Sequence, residues 1–173
     1  MKLIKRVAAL ALAAALLTFP CAAGNVVEEA EALHDLGLFH GTIDGQFDDE
    51  SMALGRAATR VETLVLFLRL LGEEEAVREG EWAHPFVDGV ASWADPYVGF
   101  AYENGLTTGV SDTEFNPDQV VGLREYMTFI LRALSYDDGA GDFFWGTSAS
   151  LGFELGLYDA DFEVRCMKQM TRG

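Results

Sequence analysis

The chain contains the same pattern more than once. Gly37-Leu38 matches Gly105-Leu106 at an offset of 68 residues, and Gly41, Asp44 and Phe47 then fall on Gly109, Asp112 and Phe115. Leu68-Arg69 and Leu71 recur as Leu131-Arg132 and Leu134 at an offset of 63, so the first copy holds five extra residues between Phe47 and Thr59. A weaker third copy starts at Leu155-Gly156-Leu157 and reaches Thr171-Arg172. A period of this size means one supersecondary unit used repeatedly, each unit unable to bury its apolar face alone.

The first residues read as a leader rather than as part of that fold. Lys2, Lys5 and Arg6 precede a run from Val7 to Phe19 that is apolar apart from Thr18, and Cys21-Ala22-Ala23 offers small residues for cleavage. This is the three-part layout of a secretory signal. The run would reach about 20 Å as a helix, short of a hydrocarbon core of ~30 Å. The expected organisation is a signal peptide at 1–23 and repeats at 24–80, 81–138 and 139–173, the last incomplete. Lipid attachment at Cys21 is the competing reading, and Pro20 is a poor fit to the small residue such a site wants.

Charge narrows the partners. Without the three basic residues of the leader, nine Lys and Arg stand against 28 Asp and Glu, a net charge near −19. Such a surface repels nucleic acid and anionic membranes, so neither is an expected partner, and no second apolar run is long enough to span a bilayer. An anion would have to be held in a local arginine pocket. After cleavage Cys166 is the one cysteine, which excludes an intramolecular disulfide and a cysteine metal site and suits a buried small hydrophobe.

Each copy reads as helix, glycine-containing loop, helix, an all-α plan. The first helix is expected from Val26 to Leu36, stopped by Gly37, where a left-handed turn suits glycine. The next starts at Thr59, whose spacing to Glu62 is that of a capping box, and carries Val61, Leu64, Val65, Leu68 and Leu71 on one stripe until Gly72. Residues 73–83 form a charged connector or short helix. In the second copy Asp95-Pro96 reads as N-cap and first helical residue, with Asn104-Gly105 as the stop. A helix over about Leu123 to Leu134 follows, then a flexible link from Tyr136 to Gly141 and an opening helix of the third copy near Thr147 to Leu155.

The residue that could bind something is Arg60. A helix start offers free N–H groups and the positive end of a dipole, and a guanidinium beside it adds a planar fork matched to a carboxylate. This reading requires the side chain to face a groove and the helix start to be open. The plain alternative is a cap with a surface arginine.

Two stretches resemble the S-layer homology family. One is Phe86, Asp88, Trp93-Ala94, Pro96-Tyr97-Val98, Asn104-Gly105-Leu106, Gly109, Asp112, Phe115 and Pro117; the other is Thr59-Arg60-Val61-Glu62, similar to that family's Thr-Arg-Ala-Glu signature. The resemblance implies three helical repeats packed as a pseudo-threefold bundle, and non-covalent attachment of an exported protein to cell-wall polysaccharide carrying acidic, pyruvyl-type substituents. It implies that Arg60 grips the acid while Thr59 and Glu62 fix the helix start, with Arg172 as a compromised equivalent. The second copy departs from the signature: alignment by Arg132 puts Leu123 at the Arg60 position and Gly122 at the threonine, with Arg124 one place late. Expected partners are therefore wall polysaccharide, and self-association or S-layer proteins if the repeats pack only with protein.

Trp93 is a candidate for stacking on a sugar, weighed against a packing wedge; Trp82 and Trp145 are weaker candidates. The acidic loop Asp44 to Glu50 does not bind calcium by an EF-hand rule: with Gly45 at the sixth position, His40, Thr42 and Ser51 fall where carboxylates belong. His34, His40 and His84 lack metal-ligand spacing, and no Ser, Cys or His sits in a nucleophile motif. The sequence thus predicts no catalytic residue, no metal and no cofactor, and a chain that is not an enzyme.

Overall fold

The computed structural model describes residues 26–40 and 56–160. The leader, the acidic loop with its EF-hand register, Cys166 and Arg172 lie outside the described residues. Those that are described are helical: α1 (Val26–Asp35), α2 (Arg60–Leu70), α3 (Glu74–Glu79), α4 (Asp95–Glu103), α5 (Leu123–Ala133), a 3-10 turn (Trp145–Thr147) and α6 (Ser148–Glu154). None of them lies in a strand; one isolated antiparallel bridge joins Thr59 and Val120. They divide into two compact units, parted between Ala58 and Thr59.

In the first unit, α1 ends as its sequence requires. Gly37 takes φ +70°, its N–H bonds the His34 carbonyl, and Leu38 N–H reaches back to Leu33. These bonds satisfy carbonyls that the helix would otherwise leave orphaned.

In the second unit the repeat is visible in the helix limits. The eleven residues of α2 and the eleven of α5 are displaced by 63 positions, the offset read from sequence. The whole predicted stripe of α2 (Val61, Leu64, Val65, Leu68, Leu71) is buried, together with Phe67. From α5, Met127, Phe129, Ile130 and Ala133 enter the same core, and the Phe67 and Phe129 rings stack at 6.1 Å. Arg69 and Arg132, also 63 apart, each bind an acid just past their helix: Glu74 at 3.3 Å and Asp138 at 2.6 Å. Glu74 also accepts from Tyr97 Oη at 3.0 Å, which ties α3 to α4. The predicted connector thus holds a short helix.

Two local expectations are corrected. Ala94, not Asp95, is the N-cap of α4, and Asp95 is already helical. The chain turns early, with Ala94 and Asp95 N–H both on the Ala91 carbonyl, and the Asp95 carboxylate meets His84 Nε2 at 3.1 Å instead of capping. Second, the link after α5 is folded, not slack. Asp137 Oδ1 accepts from Gly139 and Ala140 N–H, Asp142 Oδ2 accepts from Asp137 N–H, and Asp138 clasps Arg132. Its acidic residues make the turn rather than merely solvating it.

Candidate functional site

The site begins at the start of α2. Thr59 and Glu62 form the predicted capping box: Thr59 N–H donates to Glu62 Oε2 at 2.9 Å and Glu62 N–H to Thr59 Oγ1 at 3.4 Å. The remaining two donors of that turn are taken from a distance. Arg60 N–H donates to the Gln119 carbonyl at 2.7 Å and Val61 N–H to the Pro117 carbonyl at 3.1 Å. All four orphan donors of this helix start are therefore satisfied by protein. The open helix start that the sequence reading of Arg60 required is therefore not met: no backbone N–H is left here for an anion, and any anion recognition rests on the side chain alone.

That side chain is unusual. Arg60 is 94% buried, counting from its 6% exposure, yet its guanidinium donates no hydrogen bond to the described residues, and among them its enclosed Nε has no partner. Cζ lies 5.1 Å from the Phe115 ring centre and 5.3 Å from that of Phe129. Ring faces attract a cation but cannot accept its directed N–H bonds as a carboxylate would. Burial lowers the Arg60 pKa from its ordinary value; the charge of Glu125 opposes this and that of Arg132 adds to it. An arginine remains protonated through any such shift at neutral pH. The result is a desolvated cation with its hydrogen-bonding capacity unspent.

Phe115 is held against this guanidinium by Asp88, whose Oδ2 accepts the N–H of Phe115 at 3.0 Å and that of Asn116. Burial alone would raise the Asp88 pKa, but those N–H groups outweigh it and hold the carboxyl below its usual range.

Arg60 opens onto a cleft of about 420 Å³, within the ~300–1,000 Å³ typical of small-molecule sites. The loop after α4 contributes Thr108, Gly109 and Val110; α5 contributes Glu125, Thr128, Phe129 and Arg132; Gln119, Asp138 and Trp145 complete it. The other charges are already engaged. Glu125 Oε2 accepts Gly122 N–H at 3.1 Å, the half of a capping box that a glycine N-cap permits. Arg132 grips both oxygens of Asp138, at 2.9 and 2.6 Å, and donates to Thr108 Oγ1 at 3.1 Å. Among the described residues, Arg60 is the cleft cation whose guanidinium has no hydrogen-bonding partner.

The Arg132 hydrogen bonds hold the Asp138 pKa below its usual range, against the effect of burial. A depressed carboxylate contributes stability that is present above its unfolded pKa and is lost as pH falls through the folded value. Stability should therefore fall as pH drops from about 4 downward. Asp138→Asn should flatten that acid limb in urea melts run between pH 6 and pH 2.5; an unchanged limb would remove Asp138 from the account.

The predicted ligand residues separate. Arg60 lines the cleft; Thr59 and Glu62 serve the cap behind it. Trp93 is about half exposed and is not among the lining residues. Trp145 is, and Arg124, out of place for the signature, lies with Cζ 5.7 Å from the Trp145 ring centre. Sequence reasoning missed Arg132, Asp138 and Glu125 as cleft residues; the 63-residue offset pairing Arg132 with Arg69 was the available signal.

Residues 85–121, which hold Phe86, Asp88, the start of α4, Gly109 and Phe115, match the family model for the S-layer homology domain. Over those residues the chain is similar to an S-layer homology domain. The chain is 35% identical over 96 residues to Cell surface glycoprotein 1 of Acetivibrio thermocellus, covering 55% of this chain and 4% of that protein. It is 26% identical over 145 residues to the Middle cell wall protein of Brevibacillus brevis, covering 83% of this chain and 13% of that one. With the Surface layer protein of Brevibacillus choshinensis it shares 27% over 126 residues, 72% of this chain and 11% of that one. The chain thus spans a small fraction of each relative's length. No solved structure matches it. Among the described residues no helix is long and apolar enough to cross a membrane.

Proposed function

We propose that this S-layer homology chain anchors an exported protein to the cell wall by holding acidic wall polysaccharide, of the pyruvylated type, in the Arg60 cleft. The domain and relatives named as cell-surface, surface-layer and cell-wall proteins support a place at the cell wall or surface. The observation that carries the ligand reading is the Arg60 guanidinium, buried, unbonded and open to a cleft of ligand size. A carboxylate there would supply the acceptors that the Phe115 and Phe129 rings cannot. The role is binding, without catalysis, in three repeats at 24–80, 81–138 and 139–173.

The test is sedimentation with purified cell wall. The wild type should pellet, should stay in solution when the polysaccharide has been stripped from the wall, and should pellet less as Arg60→Ala. Equal pelleting by the variant would take Arg60 out of the mechanism. The closed helix start and the two flanking rings favour a second reading, in which Arg60 is a packing residue and the repeats associate only with S-layer proteins or with each other. Concentration-dependent assembly without wall affinity would support that reading.

A further inference from the structure

His84 is a titratable residue that the cleft does not use, with a side chain only 8% exposed. Its two ring nitrogens have fixed and different roles. The Phe86 N–H meets Nδ1 at 3.1 Å, and a backbone N–H can only donate, so Nδ1 carries the lone pair and the ring proton sits on Nε2. That proton goes to Asp95 Oδ1, at 3.1 Å, in the first turn of α4. The imidazole also stacks on Phe86, with ring centres 5.1 Å apart and planes 26° from parallel. From there the rings continue inward. Phe86 meets Tyr102 of α4 edge-on at 5.5 Å and Phe115 at 5.7 Å, and the Phe115 ring centre lies 5.1 Å from Arg60 Cζ. Two phenyl rings thus join a buried imidazole to the guanidinium of the cleft.

We infer that His84 is a proton-operated latch on the aromatic wall behind Arg60. With Nδ1 unprotonated, the imidazole accepts the Phe86 N–H and holds that residue against Phe115. A second proton can go only to Nδ1, where it would face the Phe86 N–H donor to donor. The imidazolium must then turn away, which leaves the N–H of a buried residue without its acceptor and takes the stacked face off Phe86. Carboxylates are at hand for the turned ring: Asp95 on α4, already bonded to it, and Asp88 on its own segment, which feels its charge. Glu103, at the far end of α4, is occupied by the Ala83 N–H at 2.9 Å. The loop after α4 packs on Phe86 through Gly109 and Phe115, which bring no charge. Protonation of an imidazole is a switch that the external pH can throw. Once it is thrown, Phe86 and Phe115 support the Arg60 slot less well, so the closed latch is the state that favours binding in the cleft. That coupling rests on the proposed function; the latch itself does not.

NMR titration of the full chain between about pH 8 and pH 5 tests the latch. In the wild type the ring nitrogen shifts of His84 should show the Nε2–H tautomer at the upper end, and the Phe86 and Phe115 amides should move with the His84 midpoint. Asparagine places an oxygen where Nδ1 stands, and glutamine an N–H where Nε2 stands. His84→Asn should therefore keep the high-pH Phe86 amide shift throughout, and His84→Gln the low-pH one. An Nδ1–H tautomer, a His84 that holds one charge state over the whole range, a Phe86 amide that stays put while His84 titrates, or one that still moves in His84→Asn overturns the latch. Sedimentation with purified cell wall then reads the coupling. Wild-type affinity should fall about fivefold from the upper to the lower pH, with His84→Asn unchanged across the range and His84→Gln weak throughout. Equal pH dependence in wild type and His84→Asn overturns the coupling. Absence of pelleting at either pH is a failure of the proposed function, and the latch then stands or falls on the NMR titration.

Discussion

Arg60→Met should remove wall binding while leaving the protein as stable as the wild type or slightly more so. The arginine is buried without a hydrogen bond, so the folded state bears a desolvation cost that no directed contact offsets. Its compensation is the attraction of the Phe115 and Phe129 faces, up to about 2 kcal/mol for a desolvated cation. Replacing buried charge by an apolar side chain of similar volume is commonly neutral or stabilising by ~1–4 kcal/mol. Methionine suits the slot, being long and unbranched, and its sulfur is well accommodated beside aromatic rings. The net expectation is a gain of 0 to about 2 kcal/mol, a rise in Tm of up to about 6 °C for a domain this size. Binding should fall by tenfold or more, because the lost group is the cleft's unspent cation. A stabilised variant that no longer binds is the signature of a residue kept for its ligand. A large fall in Tm would show instead that the two rings need the guanidinium, and would favour the packing reading.

The parts of this structure that were legible in the sequence are those encoded within a turn of chain. The Thr59–Glu62 box, the left-handed glycines at 37, 72 and 105, and the apolar stripe of α2 each follow from residues a few positions apart. The repeat offset carried further, setting α5 from α2 across 63 residues. What could not be read was the company each element keeps. The helix start of α2 is closed by carbonyls of Pro117 and Gln119, more than 55 positions downstream. No local pattern distinguishes an open helix start from one covered by a distant loop. For the same reason the aromatic at the cleft is Trp145 and not Trp93. Both stand near a helix start, and tertiary packing decides which faces the ligand side. Arg60 itself was legible as a candidate, but its burial between Phe115 and Phe129 depends on residues from two later segments.

Gly109→Ala should be the most damaging small substitution in the cleft, costing about 2–4 kcal/mol. Two penalties combine. Gly109 has φ +78°, a left-handed conformation that costs an L-residue about 1–2 kcal/mol. A Cβ there would also lie 2.4 Å from Phe86 Cε1, 2.6 Å from the Glu114 carbonyl oxygen and 2.7 Å from that of Ser111. The Glu114 oxygen cannot yield cheaply, because it accepts the N–H of both Val110 and Ser111, at 2.8 and 3.3 Å. Moving it leaves polar groups poorly paired, at about 1–3 kcal/mol for each one buried. Phe86 cannot move freely either, since it packs on Phe115 at 5.7 Å and Phe115 flanks Arg60. The substitution should therefore lower wall affinity as well as stability. Gly105→Ala is the matched control: φ is +69°, and its added Cβ would meet nothing within 4 Å. That variant should lose only the conformational part, about 1–2 kcal/mol, and bind normally. Paired urea melts give the difference, which isolates the contact. Equal losses for the two variants would mean that the loop after α4 relaxes around the methyl group, and that it is not the rigid wall the cleft requires.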